Sequence, residues 1–400
     1  MLTGKEIVLG VCGGIAAYKC VELARLLVKE GASVHVIMTG AACEFVTPLT
    51  FQTVTKNPVH TDLFNLIRER EIGHISLADR ADLFIIAPAT ANVVGKIAHG
   101  IADDMLTTTV MATSAPVLIA PAMNCAMYAN PIYRENEDRL RRHGYRFVDP
   151  VVGMLACGWE GEGKFQEPQV IVEESLRILG PQDFAEQSVL VTAGPTVEAI
   201  DPVRFISNHS SGKMGYALAR AAWRRGADVT LVTGPVTLPP PWGVRVIRVE
   251  SAREMKEVVL REAGSAGVVI KAAAVADYRP VEPKGEKIKK TGERMTLELV
   301  RNPDILTELG RMRRPGQLIV GFAAETSDVR ENAREKLRVK GADLMVANDV
   351  SAPDAGFSVD TNRVTVYDRW GGEWSIPLAS KDQVADRILD RIGEVITRPS

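Results

Sequence analysis

From Glu6 onward the chain alternates apolar runs of strand length with longer segments of helical periodicity, and near residue 188 the same alternation starts afresh. Glu6–Val11 is a short, mostly apolar run, Cys12-Gly13-Gly14 breaks it, and Ile15–Lys29 carries Ala17, Leu23, Leu26 and Leu27 at helical spacing. Further runs follow at Ser33–Met38, Leu83–Ala87 and Pro116–Ala120, with helix-length segments between them. The second set reads Ser188–Thr192, Asp228–Val232, Gly267–Ala272, Leu318–Phe322 and Asp343–Val346. Such alternation predicts mostly parallel sheets covered by helices on both faces. With 400 residues the chain also exceeds the roughly 250–300 at which a single core stops growing. Two doubly wound α/β domains are therefore predicted. Gly180-Pro181 breaks the pattern between them, which places the boundary within residues 179–187 and the domains at 1–182 and 183–400. Pro239-Pro240-Pro241 reads as a rigid loop outside any sheet interior. Arg363–Tyr367 and Glu373–Ile376 read as a late hairpin, and Lys381–Ile396 as the last helix.

A formal net charge of −2 supplies no global field to draw nucleic acid or an anionic membrane, and neither is expected as a partner. No apolar run approaches the ~20 residues that span a bilayer, and no signal-peptide pattern precedes the first strand. A cytoplasmic location is expected. The five cysteines, Cys12, Cys20, Cys43, Cys125 and Cys157, are scattered without CxxC spacing, which argues against both a disulfide framework and a zinc site.

Open α/β sheets bind ligands beyond the carboxyl ends of their strands, so the loops that follow the apolar runs are the informative ones. Gly13-Gly14-Ile15-Ala16 lets backbone N–H groups approach a phosphate at a helix N-terminus, although a plain βα turn has the same signature. Ala87-Pro88-Ala89-Thr90-Ala91-Asn92 and Ala120-Pro121-Ala122-Met123-Asn124 are two proline-stiffened loops ending in Asn. Each Asn can serve a ligand or cap the following helix. His74, in Gly73-His74-Ile75 just before a short helix, is the histidine best placed for acid–base work. Cys157 lies in a glycine-rich stretch, residues 153–163, that reads either as a flap over substrate or as a long surface loop.

Together, Gly13 to Lys19, Gly73-His74-Ile75, Pro88 to Asn92, Pro121 to Asn124 and the Cys157 stretch resemble the homo-oligomeric flavin-containing cysteine decarboxylases. The likeness covers roughly the whole first half in motif order. It implies a flavodoxin-like domain that binds FMN through Gly13, Gly14, Ile15, Ala16, Thr39, Pro88, Ala89, Thr90 and Asn92. It further implies a substrate ending in cysteine, phosphopantothenoylcysteine, whose thiol is oxidised before CO₂ leaves. Cys157 would be the acid that protonates the resulting enethiol, His74 would assist oxidation and decarboxylation, and Asn124 would hold the substrate carboxylate. One departure is Lys164 where the family pattern has arginine, which keeps a cation and loses bidentate geometry.

In the second half, Arg204 to Gly215 brings hydroxyls, an amide and glycines to a helix start, which suits phosphate oxygens. It is not a P-loop, because the first glycine is missing and Met214 follows Lys213. Lys271-Ala272-Ala273-Ala274-Val275-Ala276-Asp277-Tyr278 ends a strand in small residues that admit a flat ring. The lysine cluster Lys284 to Lys290 is either solvated surface or a screen for a triphosphate. With Asn302 to Leu306, Gly321 to Thr326 and Lys336 to Asp349, these segments look like bacterial phosphopantothenate–cysteine ligases. That resemblance implies a Rossmann-like domain, CTP as co-substrate, Mg²⁺ or Mn²⁺, and an acyl-cytidylate intermediate. Asn208 would steady the acyl-cytidylate and Lys287 the reacting phosphates. Asp277, Lys287, Pro303, Asp304, Ile305, Leu306, Phe322, Lys336 and Lys340 would line the CTP site, with Asp277 a candidate metal ligand.

The two resemblances imply a bifunctional enzyme that ligates cysteine to phosphopantothenate and then decarboxylates the product to phosphopantetheine. They also imply a homo-oligomer with trimeric contacts through the flavin domain and dimeric contacts through the ligase domain. A non-catalytic flavin-fold binding protein is disfavoured by the presence of His74, Cys157 and Asn208. A nicotinamide dehydrogenase is disfavoured because neither glycine turn carries GxGxxG with its acidic partner.

Overall fold

The computed structural model describes residues 2–63, 73–155, 158–289, 293–325, 328–349 and 359–398. Internal contacts divide the chain into two compact units, Met1–Gly180 and Pro181–Ser400.

In the first unit, β1 (Glu6–Val11), β2 (Ser33–Met38), β3 (Val59–His60), β4 (Leu83–Ala89), β5 (Val117–Pro121) and β6 (Arg146–Phe147) form a sheet in the order β3-β2-β1-β4-β5-β6. Every pairing in it is parallel. Strand residues alternate between faces. Ile7, Leu9 and Val11 accordingly pack with Leu83 and Ile85 under the helix Ala17–Lys29, while Val8 packs with Phe84 and Ile86 in the opposite cluster. Burial on both faces explains why these runs read as continuous apolar stretches. The segment expected to be a flap forms, in its described part, an antiparallel hairpin of β7 (Val151–Met154) and β8 (Glu160–Lys164).

The second unit has an eight-stranded sheet with the order β13-β12-β9-β14-β17-β18-β19-β20. It contains β9 (Ser188–Ala193), β12 (Asp228–Thr233), β13 (Arg245–Arg248), β14 (Val268–Lys271), β17 (Leu318–Glu325) and β18 (Leu344–Asp349), all parallel. The late hairpin, β19 (Thr361–Asp368) and β20 (Glu373–Ser380), adds an antiparallel edge and is longer than its apolar core suggested. Two small hairpins stand outside this sheet, β10 (Val197–Ala199) with β11 (Phe205–Ser207), and β15 (Tyr278–Pro280) with β16 (Leu299–Arg301). They are too short and too polar for a period-two signal to show. Strand order reverses between β9 and β14, and crevices at such switch points favour ligands.

Asp183 and Phe184 belong firmly to the second unit. Phe184 is fully buried under the Arg225 guanidinium, whose Nε donates to Asp183 at 2.9 Å and whose Nη1 pairs with Asp390 at 2.7 Å. Among the described residues no helix is long and apolar enough to cross a membrane.

Candidate functional sites

Each unit holds a cavity at the carboxyl ends of its central strands. The one in the first unit encloses about 460 Å³ and is lined by Gly13, Gly14, Ile15, Ala16, Thr90 and Asn124, all expected above. Gly13 approaches Ala41 so closely that a Cβ would lie 2.4 Å from that residue's own Cβ. On the far wall Gly163, at φ +141°, runs against the Met123 carbonyl, where a Cβ would come within 2.4 Å. Only glycine fits there. The β8 strand is thereby pressed onto the loop that carries Asn124.

Met123, Met127, Met154, Leu155 and Phe165 complete an apolar wall suited to a flat ring, while Lys19 and Lys164 supply cations. Lys19 also pairs with Glu167 at 3.4 Å. The sequence reading named Met123 only as part of its loop motif and did not assign Met127, Met154, Leu155 or Phe165 to the site, because apolar residues scattered over a loop, a short helix and a strand end give no periodic signal. Asn124 caps the helix Cys125–Tyr128, its Oδ1 accepting from Ala126 N–H at 2.8 Å.

Several expected contacts lie off this wall. The helix Ala91–Ala98 is capped by Thr90, whose Oγ1 accepts from Val93 N–H, and Asn92 sits exposed in its first turn. Pro88 and Ala89 are buried within β4 behind the loop, and the Ala87-Pro88 peptide is cis. Thr39 uses its hydroxyl to accept from Ala42 N–H at 3.2 Å, capping the helix Gly40–Cys43 that carries Ala41. His74 is the second residue of the helix Gly73–Arg80, not a residue before it, and does not line the cavity. Cys157 lies outside the described residues. Of the other thiols, burial pushes Cys12 up to about 12 and Cys20 well above the ordinary range, so neither is a ready thiolate.

The cavity of the second unit encloses about 470 Å³. Asp277, Pro303, Asp304, Ile305, Leu306, Phe322, Lys336 and Lys340 all line it, brought together from the loop after β14, the loop and helix at 303–306, strand β17 and the helix Val329–Lys340. Asn302 fixes the turn that presents Asp277: its Nδ2 donates to Ala276 O at 2.9 Å, and its backbone N–H to Asp277 O at 2.8 Å. Asp304 caps the helix Ile305–Met312 through Thr307 N–H at 3.0 Å and pairs with Lys340. Burial works to raise its carboxyl pKa, but these two partners hold it below the usual range. Lys271, Tyr278, Arg301 and Asn302 are further lining residues that the motif reading did not assign to nucleotide.

Asn208 does not line this cavity. Its Nδ2 donates to Ala274 O at 3.1 Å, tying it to the small-residue loop just before Asp277. Lys287 is exposed and also off the wall. The next residue is anchored, since Ile288 N–H donates to Asp201 Oδ2 at 3.1 Å and Arg204 Nη2 donates to Ile288 O at 3.0 Å. The buried Asp201 carboxylate is held far below its ordinary pKa chiefly by Arg204. Among the described residues, no three His, Cys, Asp or Glu side chains converge as a metal site; Asp277 and Asp304 are the two carboxylates on this cavity's wall.

Family models match both units: the flavoprotein family over residues 1–180, and the C-terminal domain of DNA/pantothenate metabolism flavoproteins over residues 184–396. The coenzyme A biosynthesis bifunctional protein CoaBC of Bacillus subtilis (strain 168) is 50% identical over 402 residues, covering 98% of each chain. Its Escherichia coli (strain K12) counterpart is 45% identical over 402 residues, covering 99% of this chain and 98% of the other. The crystal structure of the C-terminal domain of a CoaBC protein shares 45% identity and covers 54% of this chain and 98% of that one, with a TM-score of 0.47. With whole-length identity at this level and both halves matched in order, the protein belongs to the family of bifunctional coenzyme A biosynthesis enzymes, which join a flavoprotein decarboxylase domain to a ligase domain.

Proposed function

We propose that the second unit couples phosphopantothenate to cysteine with CTP and Mg²⁺ or Mn²⁺, and that the first unit decarboxylates the product with FMN. The observation that carries this reading is the convergence of the expected nucleotide residues other than Lys287 on one cavity of about 470 Å³ in the second unit, while the first unit has its own apolar, cation-rimmed cavity.

In the ligase reaction the phosphopantothenate carboxylate attacks the α-phosphate of CTP and pyrophosphate leaves. The cysteine amine then displaces CMP from the acyl-cytidylate. Lys336 and Lys340 stand where they can neutralise phosphate charge. Asn208, held against Ala274, would donate to the acyl phosphate, and Lys287, exposed on its anchored segment outside the cavity wall, would screen the reacting phosphates. Asp277 would hold the divalent cation, which would neutralise charge on the triphosphate.

The first cavity fits a flavin: the Gly13-Gly14 turn and Thr90 suit backbone and hydroxyl contacts, the methionine wall suits the ring, and Lys19 and Lys164 suit the phosphate. Bound there, FMN would supply the two-electron redox chemistry that decarboxylation of the thiol substrate requires. Asn124 orients the departing carboxylate, His74 serves the oxidation and decarboxylation, and Cys157 donates the proton that completes the thiol product. Self-association through this unit is supported by the exposed apolar side chains at the cavity rim, Ile15, Tyr18, Met127 and Met154, and through the ligase unit by exposed Phe205, Tyr278 and Leu299 on the small hairpins; the trimeric and dimeric counts rest on the resemblance alone.

The test supplies phosphopantothenate, cysteine, CTP and Mg²⁺ to the purified chain and identifies products by mass. CMP with phosphopantetheine is the expected outcome. Turnover only when ATP replaces CTP, with AMP released, would overturn the nucleotide assignment.

A further inference from the structure

The second unit has another cavity, of about 560 Å³, beside the amino end of β18. Its walls come from the end of the helix Ile305–Met312, the helix Val329–Lys340, the Gly341-Ala342 turn that leads into β18, and the turn joining β19 to β20. Glycine lets two of these segments close on one another: a Cβ on Gly310 would run into the Lys340 carbonyl, and Gly341 takes φ +66°. Four arginines, Arg313, Arg334, Arg338 and Arg369, line the space, with Asp368 as the acid among the lining residues. Helical spacing puts Arg334, Leu337 and Arg338 on one side of their helix, and Lys336 and Lys340, which line the nucleotide cavity, on the other.

The carboxylates near these arginines are already engaged. Asp343, fully buried, accepts from Ile319 N–H at 2.9 Å and pairs through a single oxygen with Arg313 at 2.8 Å and Arg369 at 3.2 Å. Asp368 accepts from the Trp370 and Gly372 N–H groups of its own turn and faces Arg391 and Arg398. Glu373 is shared by Arg330 and Arg334, and Arg338 has no ion pair among the described residues. Bracing of the turn therefore accounts for Arg313 and Arg369 and leaves Arg338 without a task. A guanidinium carries five N–H donors in a fixed plane, so the bonds to Asp343 orient two of the forks without exhausting them. Like charges gathered in one cavity repel, and a bound anion relieves that repulsion. Planar forks match the paired oxygens of a phosphate. The volume lies within the roughly 300–1,000 Å³ of small-molecule pockets.

We propose that this cavity is a second anion site of the second unit, which takes a small molecule through a phosphate or pyrophosphate group held by Arg338, with Arg313, Arg334 and Arg369 around it. The site does not depend on the nucleotide reading, since the two cavities share no lining residue.

The experiment labels the arginines of the full-length chain with phenylglyoxal and maps the labelled peptides by mass. Inorganic pyrophosphate and glycerol 3-phosphate are the probes, each raised at an ionic strength held constant with NaCl. Labelling of Arg338 and Arg369 should fall and saturate with at least one of them, and the tighter of the two tells an inorganic from an organic occupant. Citrate, similarly charged but without tetrahedral oxygens, should protect far less well. In Arg338→Gln the half-protecting concentration read at Arg369 should rise about 3- to 10-fold, as for loss of a charge-assisted hydrogen bond at a partly exposed position. Arg338→Lys, which keeps the charge and loses the fork, should fall between. Arg311→Gln, an exposed arginine that does not line the cavity, should change nothing. Thermal unfolding confirms that each variant is folded. Protection that NaCl alone reproduces, that citrate matches, or that Arg338→Gln leaves unchanged overturns the proposal. So does protection abolished by Lys336→Gln, which would place the anion in the nucleotide cavity instead.

Discussion

Gly13→Ala isolates what the first glycine turn does. The new Cβ would lie 2.4 Å from Ala41 Cβ and 2.8 Å from the Ala41 carbonyl carbon. Relaxed carbon contacts sit near 3.5–4.0 Å, so the two backbones must separate by about 1 Å. Ala41 cannot swing aside, because it belongs to the short helix Gly40–Cys43, which is capped by Thr39. Overpacking of this kind costs about 1–3 kcal/mol. In a unit of this size that lowers the unfolding temperature by about 2–12 °C. Where the strain is relieved by shifting the turn, the same energy appears as weaker flavin binding, about 5- to 150-fold. Gly14→Ala is the matched control: no atom lies within 4 Å of its Cβ position, so the flavin-free protein should keep its stability. Any loss of FMN affinity in that variant then reports contact with the ligand itself. Thermal unfolding of flavin-free protein and FMN titration followed by fluorescence quenching measure both quantities, with pyrophosphate release by the ligase unit as an internal reference. Unchanged stability and affinity in Gly13→Ala, or an equal loss of stability in Gly14→Ala, would refute the reasoning.

Asn208→Asp places a carboxylate where an amide donates to Ala274 O; phosphopantothenoylcysteine synthesis should fall at least 10-fold while supplied substrate is decarboxylated at the normal rate, the loss expected for one hydrogen-bond donor at a developing charge. Equal loss of both activities would point to general damage. Asp201→Asn tests the anchor beside Lys287. Because the Asp201 carboxyl is depressed in the folded protein, its stabilisation is complete well above its ordinary value of 3.8 and is lost as pH falls from there toward the depressed value. The gap in urea midpoint between wild type and Asp201→Asn should therefore be wide at pH 6 and narrower at pH 3. A gap independent of pH would remove Asp201 from the acid limb.

Much of this molecule was legible in one dimension because its signals are local. Apolar runs buried on both faces, such as Glu6–Val11 and Ser188–Thr192, announce parallel strands wherever they stand in the chain. The rule that ligands gather at the carboxyl ends then points to Gly13, Asn124 and Asp277 before any coordinates exist. Which of two neighbouring residues faces the ligand was less accessible. Thr90 and Asn92 are both fitting caps by type, and the rotation of one helix decides that Thr90 lines the cavity while Asn92 points to solvent.

Taken alone, the sequence determined two doubly wound sheets and the loops that matter on each, since periodicity and glycine turns act over a few residues. Only the tertiary structure decided which of those loops meet. It drew Asp277, Asp304, Phe322 and Lys340 onto one wall and left Lys287 and His74 off the cavities. The physical reason is strand order: β14 lies between β9 and β17, and no local pattern records which neighbours a strand will have.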